Sequence, residues 1–202
     1  LFDDGWRLAL IAAHDDPERV RVVYSFLRPI GQRHELTLEI PRDDAWIPTL
    51  AHRSFPAGRF EREIRDLFGI APDGHPMPKR LVRHAHWPDG YHPMLHDADP
   101  SPRFDSDVGS YPFIAVDGDG VYEIPVGPVH AGLIEPGHFR FSVVGETILQ
   151  VKARLWFLHR GVEKLFEGRT PEQGIELAER ISGDTAVGHT LAYVTAVEDA
   201  LG

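Results

Sequence analysis

The sequence predicts an α+β fold: an antiparallel sheet with covering helices, then the hairpin-rich start of a second, α-helical domain. Three observations lead there. Apolar residues alternate with period two between Trp6 and Ile40, helical apolar spacing begins near Ala57, and hairpin signals followed by helical spacing return after a proline-rich break.

Residues 6–13, 19–27 and 35–40 read as strands, separated by His14-Asp15-Asp16-Pro17 and Arg28-Pro29-Ile30-Gly31, and together make a three-stranded antiparallel meander. Val20, Val22 and Tyr24 alternate with Arg19, Arg21 and Val23, and Leu36, Leu38 and Ile40 with Glu35, Thr37 and Glu39, so each strand offers one apolar face. That face needs helices to cover it. Asp43-Asp44 is placed to cap a short helix through Trp46, Ile47 and Leu50, and Pro56 to open a second over residues 57–67. Phe60, Ile64, Leu67 and Phe68 form its inner side, and Gly69 ends it. From Ile70 to Ser110, prolines break every long element. The stretch is rich in rings (His75, His84, His86, Trp87, Tyr91, His92, His96), so it is expected to lie against a surface. A boundary is expected between Asp97 and Tyr111, giving domains 1–105 and 111–202.

In the second domain, residues 113–116 and 121–125 flank the turn Asp117-Gly118-Asp119-Gly120, and residues 138–144 and 147–155 flank Gly145-Glu146; both read as hairpins. Residues 161–166 suggest a short helix and Pro171 marks a first helical turn, while Ile181, Leu191, Val194, Val197 and Leu201 line one side of a long final helix. Nothing in the domain covers that side. It therefore reads as the opening of something larger.

Composition narrows the chemistry. The 202 residues are 42% hydrophobic and 26% charged, and none is cysteine, which excludes disulfides, CxxC zinc sites, thiolate ligands for iron–sulfur clusters and a cysteine nucleophile. Lys plus Arg number 21 against 31 Asp plus Glu, a net charge of -10 that disfavours nucleic acid and anionic membrane surfaces. No run is apolar enough to span a bilayer, and the first residues lack an export pattern, so a cytoplasmic address is expected. No glycine-rich phosphate loop is present, so the chain should not bind NADH itself. Among the histidines, His84-x-His86 gives zinc one pair where three or four ligands are needed, and docking on a neighbouring domain or subunit through Trp87 and Tyr91 is the preferred reading. Asp117-Gly118-Asp119-Gly120 lacks the spaced oxygen ligands of a calcium loop.

Two strings carry more. Glu61-Arg62-Glu63-Ile64-Arg65-Asp66-Leu67-Phe68, then Gly69-Ile70-Ala71-Pro72-Asp73-Gly74-His75-Pro76 and Lys79-Arg80-Leu81, can be read simply as a helix with a solvated charged face. As a whole it resembles the signature of the 30 kDa subunit of respiratory complex I and its homologues in membrane-bound hydrogenases. Farther on, Leu158-His159-Arg160-Gly161-Val162-Glu163-Lys164, preceded by Gly127-Pro128-Val129-His130 and followed by Arg180-Ile181-Ser182-Gly183-Asp184-Thr185 with His189, resembles the 49 kDa subunit of complex I and the large subunit of group 4 nickel–iron hydrogenases. The two parts would be fused in one chain, as in hydrogenase-type large subunits, with about the first third of the 49 kDa-like part present.

The resemblance implies a scaffold without its own cofactor in the first domain, with Glu61, Arg62, Glu63, Asp66, His75, His159 and Arg160 serving subunit interfaces. It implies that His130 donates a proton to a quinone headgroup and that Glu163 relays protons; the alternatives are a structural histidine on a turn and a buried carboxylate bonded to Arg160. The partner tyrosine of the quinone site has no counterpart near Gly183. Where the nickel–iron pattern needs thiolates, Ser182 and Thr185 stand instead, and a hydroxyl stays protonated and hard where a thiol ionises onto a metal. No nickel or iron is therefore expected here, and a second cysteine pair would fall beyond Gly202.

The functional expectation is a subunit, or part of one, of a complex I-like NADH:quinone oxidoreductase, peripheral on the inner face of the cell membrane. It would seat the iron–sulfur subunit, meet the membrane subunits and wall the acceptor cavity, with clusters and NADH on partner subunits. The alternatives are a catalytic large subunit of a group 4 nickel–iron hydrogenase and a scaffold module with no redox role.

Overall fold

The computed structural model describes residues 1–104, 111–129 and 136–202. The chain divides into two units, Leu1–Ser110 and Tyr111–Gly202. In the first, β1 (Arg7–Asp15), β2 (Arg19–Leu27) and β3 (Arg33–Pro41) form the expected antiparallel meander in that order. Register puts Ile11, Tyr24 and Leu36 in one row and Ala13, Val22 and Leu38 in the next, so the alternating apolar residues of all three strands share a face. α1 (Ala57–Phe68) packs on that face at β1. Leu8, Ile11, Val20, Val22, Tyr24, Phe26, Ile40, Ile47, Ile64 and Ile70 are buried between sheet and helix. Each such side chain contributes about 1.5–3 kcal/mol of transfer free energy. Leu36 and Leu38, on the strand far from the helix, stay exposed.

The helix expected through Trp46 and Leu50 does not form. Asp43 and Asp44 sit in a single 3-10 turn, Arg42–Asp44, and β4 (Trp46–Pro48) pairs in parallel with β5 (Ala71–Asp73). Pro48 has no N–H for a continuing helix, and the extended backbone sends Ile47 wholly into the core. α1, by contrast, has the expected limits. Pro56 stands just before it, and Gly69 closes it at φ 77, donating to the Arg65 carbonyl at 3.0 Å.

In the second unit β6 (Val121–Val129), β7 (Gly137–Val144) and β8 (Thr147–Arg154) form an antiparallel sheet in that order. The β7–β8 hairpin turns at Gly145-Glu146 as expected, but residues 113–116 are not a strand. β6 pairs forward with β7, and Phe113 instead sets its ring against His138 at 5.5 Å and under the Arg140 guanidinium at 4.6 Å. α2 (Val162–Phe166), α3 (Pro171–Glu179) and α4 (Ala186–Leu201) follow. Thr170 and Gln173 exchange side-chain-to-backbone bonds in a capping box, and Pro171 is the first helical residue of α3. Ile181 is not on the final helix. A break at Ser182 and a 3-10 turn, Gly183–Thr185, separate it from α4.

Candidate functional site

The charged residues of α1 turn inward. Glu61 and Asp66 are 0% and 1% exposed and Arg62 is 9% exposed, so the solvated-face reading of this helix is wrong for these three. Buried charges need partners, and here the partners are mostly backbone. Glu61 accepts from the Leu50 N–H at 2.6 Å and the Thr49 hydroxyl at 2.5 Å. Arg62 donates to the carbonyls of Lys79 and Arg80, each at 2.7 Å. One oxygen of Asp66 accepts from three consecutive N–H groups, Leu81 at 2.7 Å, Val82 at 3.0 Å and Arg83 at 3.2 Å. His75 Nδ1 accepts from the Met77 N–H at 2.9 Å, which assigns the proton to Nε2, 3.0 Å from the Gly58 carbonyl and 3.8 Å from Glu61. Glu63 is half-buried on the same helix.

Residues 75–83 thus run as a strap along α1, gripped at His75, then Arg62, then Asp66. Its Leu81 and Val82, together with Met94, pack against Leu67, so the proline-rich stretch does lie against a surface. Trp87 and Tyr91, read as docking anchors, cluster with Phe104 in their own unit: Trp87–Tyr91 6.0 Å, Trp87–Phe104 5.8 Å and Tyr91–Phe104 6.4 Å. His84 and His86 rings lie 5.6 Å apart, and among the described residues no group of three or more metal-ligating side chains assembles. His92 rests against Gly69, and burial pushes its pKa down, outweighing a bond to the Asp66 carbonyl at 3.1 Å.

A second anchor escaped the sequence reading. Asp15, its side chain 1% exposed at the end of β1, accepts from the His96 N–H at 2.7 Å and His96 Nδ1 at 3.1 Å, and from Arg42. Burial raises the Asp15 pKa, but the bonds from His96 and the Arg42 charge outweigh it and hold the carboxyl below its ordinary range. Nothing in the loop Asp15-Asp16-Pro17 distinguishes its two acids; only the strand's pleat does.

In the second unit, Glu163 lies 3.5 Å from His159 Nε2. That bond, working against desolvation, lowers the Glu163 pKa. Arg160 does not hold it; its guanidinium donates to the backbone carbonyls of Arg180, at 3.3 Å, and Ile181. The helix-turn string is therefore tied to the end of α3 and to the residues just before Ser182. Ser182 accepts the Thr185 N–H at 3.1 Å through its backbone carbonyl, and the two side chains offer only neutral hydroxyls. That donor set does not fit a soft bimetallic centre. His130 lies outside the described residues. The strand that leads to it carries a bulge: pairing skips from Val126 to Val129, and Gly127, at φ 106, approaches Gly137 so closely that a Cβ would stand 2.7 Å from its carbonyl oxygen. Gly127 is thus held at the bulge by a close backbone approach that leaves no room for a Cβ.

The family model of the respiratory-chain NADH dehydrogenase 30 kDa subunit matches residues 3–103. This chain belongs to that family. The 30 kDa-type fold accounts for the α1 signature and its strap, and similarity continues past it. Hydrogenase-4 component G of Escherichia coli (strain K12) is 40% identical over 169 residues, covering 81% of this chain and 30% of the relative. Formate hydrogenlyase subunit 5 of the same organism is 37% identical over 210 residues, 98% of this chain and 36% of the relative. The C/D subunit of NADH-quinone oxidoreductase from Bacteroides thetaiotaomicron is 30% identical over 212 residues, 93% of this chain and 40% of the relative. The chain spans between 30% and 40% of the length of these curated relatives.

Proposed function

We propose that this 30 kDa-family chain works as part of a subunit in a membrane-associated, complex I-like electron-transfer assembly, as scaffold and as one wall of the acceptor cavity. The observation that carries the reading is similarity running through both units: 98% of the chain aligns with a formate hydrogenlyase subunit and 93% with the C/D subunit of an NADH-quinone oxidoreductase. The described residues suit a scaffold, since the buried charges of α1 bind backbone and leave no open catalytic pair there. Clusters and NADH would sit on partner subunits, among them an iron–sulfur protein. Attachment to the membrane would run through partners; no described helix is long and apolar enough to cross it. His130 remains the proposed quinone-facing proton donor, and Glu163 with His159 a proposed relay. Contact with other subunits through Glu61, Arg62 and Asp66 is indirect, because they shape the strap rather than reach a partner.

The test is purification of the full-length protein from its native host. A membrane-fraction complex containing an iron–sulfur protein, released from its membrane partners only by detergent, is the expected result. A lone protein in the soluble fraction would overturn the reading. Higher identity to the hydrogenase-named relatives, 40% and 37% against 30%, favours a second reading as a hydrogenase-type large subunit. Mass-spectrometric metal analysis separates the two. Ser182 and Thr185 predict nickel far below one per chain, and stoichiometric nickel would decide for the hydrogenase.

A further inference from the structure

We propose that residues 76–79 form a rigid docking ridge that inserts Met77 into an apolar pocket on a separate, acidic polypeptide of the assembly, with Arg65 and Lys79 meeting its carboxylates. The inference rests on the assembly reading above and names the surface and the partner's chemistry. The strap's backbone is fixed from below by α1, but Pro76, Met77, Pro78 and Lys79 are all exposed, Met77 at 49%. Two prolines lock φ on either side of the methionine. The ridge is therefore ordered before it binds, and little conformational entropy is lost on docking. Met is enriched at interfaces and moulds itself to irregular pockets.

The apolar surface extends beyond one side chain. Phe55 is 69% exposed, and the Arg59 guanidinium stacks on its ring at 3.3 Å. Arg59 is one helical turn from Arg62, whose Nη1 lies 4.0 Å from Met77 Sδ, so the Phe55–Arg59 pair and Met77 flank successive turns of α1. Arg65 donates to the Pro78 carbonyl at the other end. Neither Arg65 nor Lys79 makes an ion pair among the described residues. This is a cationic, apolar ridge on a chain of net charge -10. Its complement is an acidic protein surface. An anionic bilayer has the same local complement and is an outcome that the experiment below distinguishes.

The decisive experiment places the photo-reactive p-benzoylphenylalanine at Met77 of the full-length protein in its native host, with the same residue at exposed Glu18 as background. Irradiation of the purified assembly should give an adduct with a peptide of a different subunit that holds more Asp and Glu than Lys and Arg. Adding Arg65→Glu and Lys79→Glu should lower adduct yield about tenfold, as should a rise in ionic strength. An adduct with lipid, one with a second copy of the chain, or none above the Glu18 background while the assembly stays intact, each overturns the proposal. Failure to purify any assembly strikes the functional reading instead and takes this inference with it.

Discussion

Asp66 is the residue whose loss the first unit should feel most. Its one oxygen serves three backbone N–H groups in a buried site, and removing it leaves all three unpaired. Asp66→Ala is expected to destabilise the chain by about 3 kcal/mol or more, read as a lowered urea midpoint. Asp66→Asn keeps an acceptor oxygen and should lose clearly less. Asp15 makes a pH prediction. Its folded pKa lies below the ordinary 3.8, so its contribution is complete above the unfolded value and disappears as pH falls through the folded one. Thermal melts from pH 6 down to about pH 2 should therefore show an acid limb that is shallower in Asp15→Asn; an unchanged limb would remove Asp15 from the acid response. Neither role could be read from residue type, because a helix carrying Glu61-Arg62-Glu63 with Arg65-Asp66 looks the same whether its charges meet water or a strap.

At the scale of elements, close approach decides what is tolerated. Gly174 in α3 faces Tyr193 in α4, and a Cβ there would fall 2.0 Å from the phenol oxygen, which already donates to the Pro171 carbonyl at 3.0 Å. Gly174→Ala should therefore loosen the α3–α4 packing by about 1–3 kcal/mol, detected as a lower melting temperature. Adding Tyr193→Ala should recover part of that loss, since the two changes share one contact. The second sheet is inverted in character: Lys152, Arg154 and Ser142 are buried on one face, with Glu123 bridging Lys152 and Arg140, while Tyr122, Ile124, Val126 and Val151 are exposed on the other. Alternation in the sequence showed the strands. It could not show which face would be covered, since period two is the same whichever side meets water. The β4–β5 pair was missed for a related reason. Three residues carry too little pattern to be seen, and the partners stand more than twenty positions apart.

For the whole molecule, the boundary conditions came from composition. A stretch without cysteine offers no thiolate to a cluster, and with net charge -10 any docking on an acidic partner would have to rest on local rather than global charge. That predicts a salt-sensitive attachment: if the ridge at Met77 carries docking, raising ionic strength should weaken the partner complex before it unfolds either unit. Analytical ultracentrifugation across a salt series checks the order of the two events. α4 makes a parallel case. It carries no fully buried residue; Tyr193 packs it on α3, while Val187, Leu191 and Leu201 are 82%, 65% and 77% exposed, an apolar side that the described residues leave open.

Sequence alone determined the meander, the limits of α1, the β7–β8 hairpin and the family, because each is written in local signals: alternation, a closing glycine, a two-residue turn and contiguous strings. Only tertiary structure decided that Glu61, Arg62 and Asp66 bind backbone, that Arg160 reaches the end of α3 rather than Glu163, and that residues 76–79 face outward on a fixed spine. The physical reason is that a charge's role depends on what is folded against it, and desolvation and hydrogen-bond geometry arise from residues distant in the chain.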